Sequence, residues 1–268
     1  MKDKALIVVR GAGDLATGVI HRLWRAGYPV LALEALRPAA IRRKVALCEA
    51  VYQGSAQVED LKGLLIQRPD QLSQALDQGA VPLLVDPAGD CIAALNPACV
   101  VDAILAKKNL GTHRGMAGLT IALGPGFQAG VDVDYVVETN RGHDLGRIIA
   151  QGFAQPNTGT PGVIAGYGAQ RVIHAPAAGA FRALCAIGDL VQEGQPIAQI
   201  YGEQGPTPVP ASLSGLIRGI IRDGYPVFQG MKIADIDPRR EQYANCFTIS
   251  DKARCISGSV LELVCRHL

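Results

Sequence analysis

A continuous apolar run, Ala5-Leu6-Ile7-Val8-Val9, opens the chain and predicts a strand buried on both faces. After Gly11-Ala12-Gly13-Asp14, apolar residues fall at Leu15, Val19 and Leu23, flanked by Ile20 and Trp24. That is helical spacing. His21, Arg22 and Arg25 take the other side, and Gly27 is placed to end the helix. The stretch from Pro29 to Glu34 predicts a second strand. Further strands are predicted at 81–85, 119–123 and 135–138, and helices at 60–65, 71–77, 101–108 and 143–152. This alternation predicts a parallel sheet with helical cover.

The pattern changes in the last third. Gly179, Arg182, Gly188, Val191, Gly194, Ile197, Ala198 and Ile200 recur as Gly215, Arg218, Gly224, Val227, Gly230, Ile233, Ala234 and Ile236, an offset of 36 residues. Ile173 and Ala175 match Val209 and Ala211 at the same offset. A fixed offset through ten positions means one supersecondary unit used twice. Turn signals between β-type runs make each copy a strand–turn–strand unit, and two copies packing together predict a small β-sandwich.

Between the two regimes, residues 156–162 are rich in turn formers and read as a linker. The expected organisation is a Rossmann-like nucleotide-type domain over 1–160, a duplicated β-module over 171–238, and a C-terminal segment, 246–268. In that segment Ile256, Val260, Leu261, Leu263 and Val264 form the apolar face of a helix that docks on the body. The fold class expected is therefore α/β: a Rossmann-like parallel sheet, then a duplicated barrel-sandwich module of biotinyl/lipoyl type, then a helix. Such modules carry their cofactor on a lysine between the halves. Here Tyr201 to Pro208 holds no lysine, and Gln204 lies about where one belongs, so no swinging arm is expected.

Composition narrows the function classes. Hydrophobic residues are 49% and net charge is +2, so nothing calls for nucleic acid or an anionic membrane. No run approaches the ~18 apolar residues of a membrane span, and no N-terminal signal pattern is seen, so a cytoplasmic location is expected. The seven cysteines contain no CxxC pair and the five histidines no pair at ligand spacing, so no metal site is expected.

The strand, Gly11-x-Gly13-x-x-Ala16, helix, strand, Glu34 order is the context of a dinucleotide-binding turn. Gly11 permits the tight turn, Gly13 lets backbone approach a pyrophosphate, and Ala16 lets helix and strand pack closely. The helix N-terminus offers free N–H groups to the phosphates. Glu34, 23 residues after Gly11, is placed to accept from ribose hydroxyls. Asp14 puts a carboxylate at the helix start, where it either caps the helix or repels a phosphate.

The strings Arg10-Gly11-Ala12-Gly13-Asp14-Leu15-Ala16-Thr17-Gly18, Glu49-Ala50-Val51-Tyr52, Val101 to Asn109, Glu138 to Arg147 and Cys246 to Arg254 together resemble the YqeB family. That resemblance spans nearly the whole chain. It implies an accessory role in maturing selenium-dependent molybdenum hydroxylases, with a molybdopterin-type dinucleotide as the bound cofactor and a molybdenum hydroxylase apoenzyme as partner. The opening turn is more loosely similar to the XdhC family. The residues alone leave two alternatives: an NAD(P)-dependent oxidoreductase and a non-catalytic cofactor-binding chaperone.

Sulfur or selenium transfer needs a stabilised thiolate. Cys246, followed by a polar stretch with Lys252 and Arg254, is the candidate. Arg141-Gly142-His143-Asp144 precedes the predicted helix at 143–152, which puts His143 and Asp144 at its start, with Arg141 able to grip a phosphate.

Overall fold

The computed structural model describes residues 4–157, 159 and 162–268. The chain divides into two compact units, one of residues 1–38, 46–157 and 249–268, the other of residues 39–45 and 158–248. Of the predicted linker, Thr158, Thr160 and Pro161 lie outside the described residues.

The first unit is built on a nine-stranded sheet. Its strands are β1 (Ile7–Arg10), β2 (Val30–Glu34), β3 (Ser55–Val58), β4 (Leu61–Ile66), β5 (Val81–Val85), β6 (Cys99–Asp102), β7 (Leu119–Leu123), β9 (Tyr135–Val137) and β10 (Ile148–Ile149). A small pair, β8 (Gln128–Ala129) with β11 (Gly152–Phe153), lies apart. The order is β10-β9-β7-β6-β1-β2-β5-β4-β3. The seven strands from β9 to β4 run parallel, and β10 and β3 close the two edges antiparallel. The continuous apolar runs Ile7-Val8-Val9 and Cys99-Val100-Val101 sit at the centre and are fully buried, as strands covered on both faces must be.

Helical cover is thinner than the sequence predicts. It consists of α1 (Asp14–Arg25), α2 (Ala50–Gln53), α3 (Leu72–Asp77), α4 (Ile92–Leu95) and the late α5 (Asp251–His267). Three predicted helices are absent. Asp60 lies in a turn and Leu61 onward forms β4, because so short a segment carries no decisive period and finds a parallel partner in β5. Val101 and Asp102 complete β6, and Leu105 and Lys107 then adopt left-handed backbone, which stops any helix. At 143–152 the glycines Gly146 and Gly152 turn the chain at positive φ, and β10 pairs with β9 instead.

α5 packs along α1. Ser250 caps it by accepting from Ala253 N–H at 3.2 Å, and Ala253, Ile256, Val260, Leu263 and Val264 form its buried face. The two helices approach closely at Gly18, where a Cβ would lie 2.7 Å from the Ala253 methyl.

The second unit carries the repeat. The first copy gives β12 (Val172–His174), β13 (Gly179–Ala183), β14 (Leu190–Val191) and β15 (Pro196–Gly202). The second gives β16 (Gly205–Pro210), β17 (Gly215–Ile220), β18 (Pro226–Val227) and β19 (Lys232–Asp237). They form two four-stranded sheets, β12-β19-β17-β14 and β16-β15-β13-β18. Exchanging the copies turns one order into the other, so each sheet takes two strands from each copy. The repeated apolar residues all meet in one core. Pro206, Pro208 and Pro210 fall on β16, an edge strand, where missing N–H donors are tolerated.

The expected label for this architecture is corrected. A Rossmann-like parallel sheet with helical cover followed by a biotinyl/lipoyl-type barrel-sandwich does not describe it. The large sheet is mixed, with antiparallel strands at both edges, and among the described residues the other named strands form three separate antiparallel sheets. Local periodicity did not reveal the edge strands β3 and β10, or β4 beside β3, because these owe their state to pairing.

Candidate functional site

The carboxyl ends of the parallel strands carry a row of acids, and most of these organise the loops that follow. Glu34 at the end of β2 accepts from Ala12 N–H at 2.8 Å and Ala35 N–H at 2.8 Å. Burial pushes its carboxyl up, against the lowering by those two bonds. Asp86, after β5, accepts from the N–H groups of Gly89, Asp90 and Cys91. Burial raises it, but those N–H bonds and the Cys91 thiol together outweigh burial and hold it below the usual carboxylate range. Glu138, after β9, accepts from Asn140 and Gln155 N–H, each at 2.7 Å.

At the centre, Arg10 ends β1 beside Asp102, which ends β6. Both are buried, 1% and 2% exposed, with 4.0 Å between Nη1 and Oδ2. Thr112 bridges them: Arg10 donates to its hydroxyl, and the hydroxyl donates to Asp102. Arg10 also donates to the carbonyls of Pro87 and Leu110. Burial raises the Asp102 carboxyl against the pull of Thr112, Ile104 N–H and Arg10. This lock was missed in the sequence reading, although the signal was there: a charged residue closing each of two apolar strands.

The strand order reverses between β1 and β6, the place where open α/β sheets hold ligands. Gly11 turns there at φ +102, and a Cβ on it would lie 2.8 Å from the Ala103 carbonyl oxygen. The loop after β6 packs on this turn and carries the left-handed residues Leu105 and Lys107. Strained backbone of this kind clusters at functional sites.

Gly13 differs from Gly11. Its φ is −67°, which any residue adopts, and a Cβ there would meet nothing within 4 Å. It is the N-cap of α1 yet supplies no side-chain cap. Asp14 follows and accepts from Leu15 N–H at 2.8 Å. Ala16 is fully buried against the sheet. Lys252, in the first turn of α5, lies near enough to Asp14 for their charges to interact. Among the described residues it makes no hydrogen bond or ion pair. Burial lowers its ammonium, Arg141 lowers it further, and Asp14, Glu138 and Asp251 raise it.

The other predicted residues fare differently. Arg141 is not a free anion clamp: its guanidinium is held bidentately by Asp251 at 2.9 and 3.0 Å. No helix starts at His143, which is exposed, and Asp144 pairs with Arg147 at 3.0 Å. Cys246 is 1% exposed, in a short 3₁₀ segment of the second unit with its sulfur toward the Gln242 carbonyl. Burial raises its thiol, outweighing Arg218 and Arg42. It is therefore not the accessible, stabilised thiolate expected. Cys255 and Cys265 are the exposed cysteines. Glu203 and Gln204 form the tip of the β15–β16 hairpin.

Three ligating side chains do come together, which sequence spacing hid. His21, Glu59 and Asp60 bring donor atoms within 4.8 Å. Arg25 and Arg254 already hold the two carboxylates, at 2.7 and 2.6 Å.

No protein-family model matches the chain. It is 50% identical over 257 residues to the uncharacterized protein YqeB of Escherichia coli (strain K12), covering 96% of this chain and 47% of that protein. The chain thus spans about half the length of this curated relative. Among solved structures, it is similar to the ectoine utilization protein EutE (DoeB) from Ruegeria pomeroyi, with 10% identity, a TM-score of 0.27 and coverage of 87% and 86% of the two chains. A succinylglutamatedesuccinylase/aspartoacylase from Rhodobacter sphaeroides gives 14% identity and 0.29, covering 87% and 85%. An aspartoacylase family protein from Mesorhizobium loti gives 10% and 0.29, covering 87% and 84%. The expected role in maturing selenium-dependent molybdenum hydroxylases is corrected: none of these likenesses is to a protein so named. At such TM-scores the likenesses carry no reaction or substrate to this chain. Among the described residues no helix is long and apolar enough to cross a membrane.

Proposed function

We propose that the chain binds a phosphate-bearing ligand of the nucleoside diphosphate class at the turn between β1 and α1. The observation that carries this reading is Gly13. Its backbone does not need glycine's conformational freedom, and among the described residues beyond its chain neighbours nothing comes close enough to need its lack of bulk. The remaining use for a bare backbone at a helix start, beside the point where strand order reverses, is close approach by a ligand. Lys252 supplies the counter-charge. It lies partly buried and makes no hydrogen bond or ion pair among the described residues, so its ammonium donors are open to a bound anion. Glu34 holds Ala12 N–H and Ala35 N–H and so fixes the turn.

The test is isothermal titration of the full chain with NAD, ADP and CDP. Gly13→Val puts a side chain in the open space without a clash, so thermal stability should hold while affinity for the best ligand falls at least ~tenfold, the scale of one charge-assisted contact. Unchanged affinity in a folded Gly13→Val protein would remove the turn from the account.

A further inference from the structure

We infer a second, separate site: a pocket on the α1–α5 seam built to hold a tetrahedral oxyanion such as a phosphoryl or sulfate group. The cavity is about 220 Å³ and is lined by Gly18, His21, Arg22, Arg25, Ile249, Arg254 and Ser257. At ~30 Å³ per water this is room for roughly seven waters, enough for one small oxyanion and its hydration. Three guanidinium groups and an imidazole line it, and among the described residues no carboxylate does.

The acids lie outside the lining and hold its cations. Asp60 takes His21 Nε2 at 2.7 Å and Arg25 at 2.7 Å, and Glu59 takes Arg254 at 2.6 Å and Ile249 N–H at 2.9 Å. Glu59 is itself at φ +53, a strained position for a non-glycine residue. Arg22 has no acid among the described residues. Its two bonds, to Ser257 Oγ at 3.4 Å and the Arg254 carbonyl at 3.5 Å, are at the outer limit of hydrogen bonding. A half-buried guanidinium with five donors and two long contacts, set among three other cationic or ionisable groups, lacks an acceptor. A tetrahedral anion would supply several at once, and the planar fork suits it. The same geometry disfavours a metal ion at His21, Glu59 and Asp60, because a cation there would have to displace two arginines from their carboxylates.

This inference does not rest on the site at Gly13, and the test separates them. Inorganic phosphate, with chloride at matched ionic strength as control, is titrated into the full chain and followed by thermal unfolding and calorimetry. Saturable stabilisation by phosphate above chloride is expected. It should weaken at least ~tenfold in Arg22→Gln, the scale of a lost charge-assisted contact, less in Arg22→Lys, and persist in Lys252→Met. Arg22→Lys keeps the charge and serves if Arg22→Gln fails to fold. No effect beyond chloride, undiminished binding in the folded Arg22 variants, or loss in Lys252→Met alone would each overturn the pocket. Stabilisation by Zn²⁺ that depends on Glu59 would overturn it in favour of a metal site.

Discussion

Single residues at the carboxyl edge divide into those whose side chains hold the fold and those whose identity no hydrogen bond or ion pair among the described residues explains. Arg10 and Asp102 belong to the first group. Removing one partner of a buried ion pair leaves an uncompensated charge, at a cost of about 3–5 kcal/mol. Arg10→Met should therefore lower the free energy of unfolding by about that amount, because Asp102 stays buried and the Pro87 and Leu110 carbonyls lose their donor. The double variant Arg10→Met/Asp102→Leu should recover most of it. Urea unfolding of both variants checks this, and a single-variant loss under ~1 kcal/mol would show that the pair does not hold the loops. Gly13 and Lys252 belong to the second group. Glycine at position 13 was legible in the sequence as part of a turn motif. Lys252 entered that reading only as a neighbour of Cys246, since its place beside α1 depends on how α5 docks. Cys246 misled because a polar sequence neighbourhood does not reveal that the sulfur turns inward.

Among the elements, strong local periodicity was the reliable guide. The buried runs of β1, β2, β5 and β7, the amphipathic α1 and the repeat all appear where the pattern puts them. The elements that differed, at 60–65, 101–108 and 143–152, are short segments whose state was decided by neighbouring strands or by residues at positive φ. The repeat itself makes a matched prediction. Gly194 and Gly230 are equivalent turn positions at φ +80 and +83, with open space around both. Placing Ala at either should cost about 1–2 kcal/mol, the strain of left-handed backbone on a residue with a Cβ. The two costs should agree within ~0.5 kcal/mol and add in the double variant. Calorimetric melting of the three proteins measures this. Unequal costs would mean the copies are not energetically equivalent, as at Gly188, where a Cβ would crowd the Tyr243 ring at 2.8 Å while its counterpart Gly224 is open.

For the whole molecule, stability against acid and the choice of ligand are the properties that sum over parts. Asp237 is buried and gripped by Arg239 at 2.9 Å and Arg218 at 2.9 Å. Burial raises its carboxyl, but the two arginines outweigh burial and hold it below its ordinary 3.8. A carboxyl lowered on folding contributes stability that is complete above its unfolded value and is lost as pH falls through the folded one. Asp237→Asn should thus destabilise the chain at pH 7 and flatten its loss of stability below about pH 3.8, read from melting temperature against pH. An unchanged acid limb would show that the arginine grip contributes nothing. The ligand question turns on the backbone at the start of α1, and amide chemical shifts report on it directly. With the full chain labelled with ¹⁵N and titrated with ADP, CDP or NAD, a ligand at the turn must move the Gly13 and Asp14 amide resonances saturably. The Lys252→Met variant should need a higher ligand concentration for the same shift. Gly13 and Asp14 resonances that stay fixed while a nucleotide demonstrably binds, or that show no response to any of the three, would contradict the central claim.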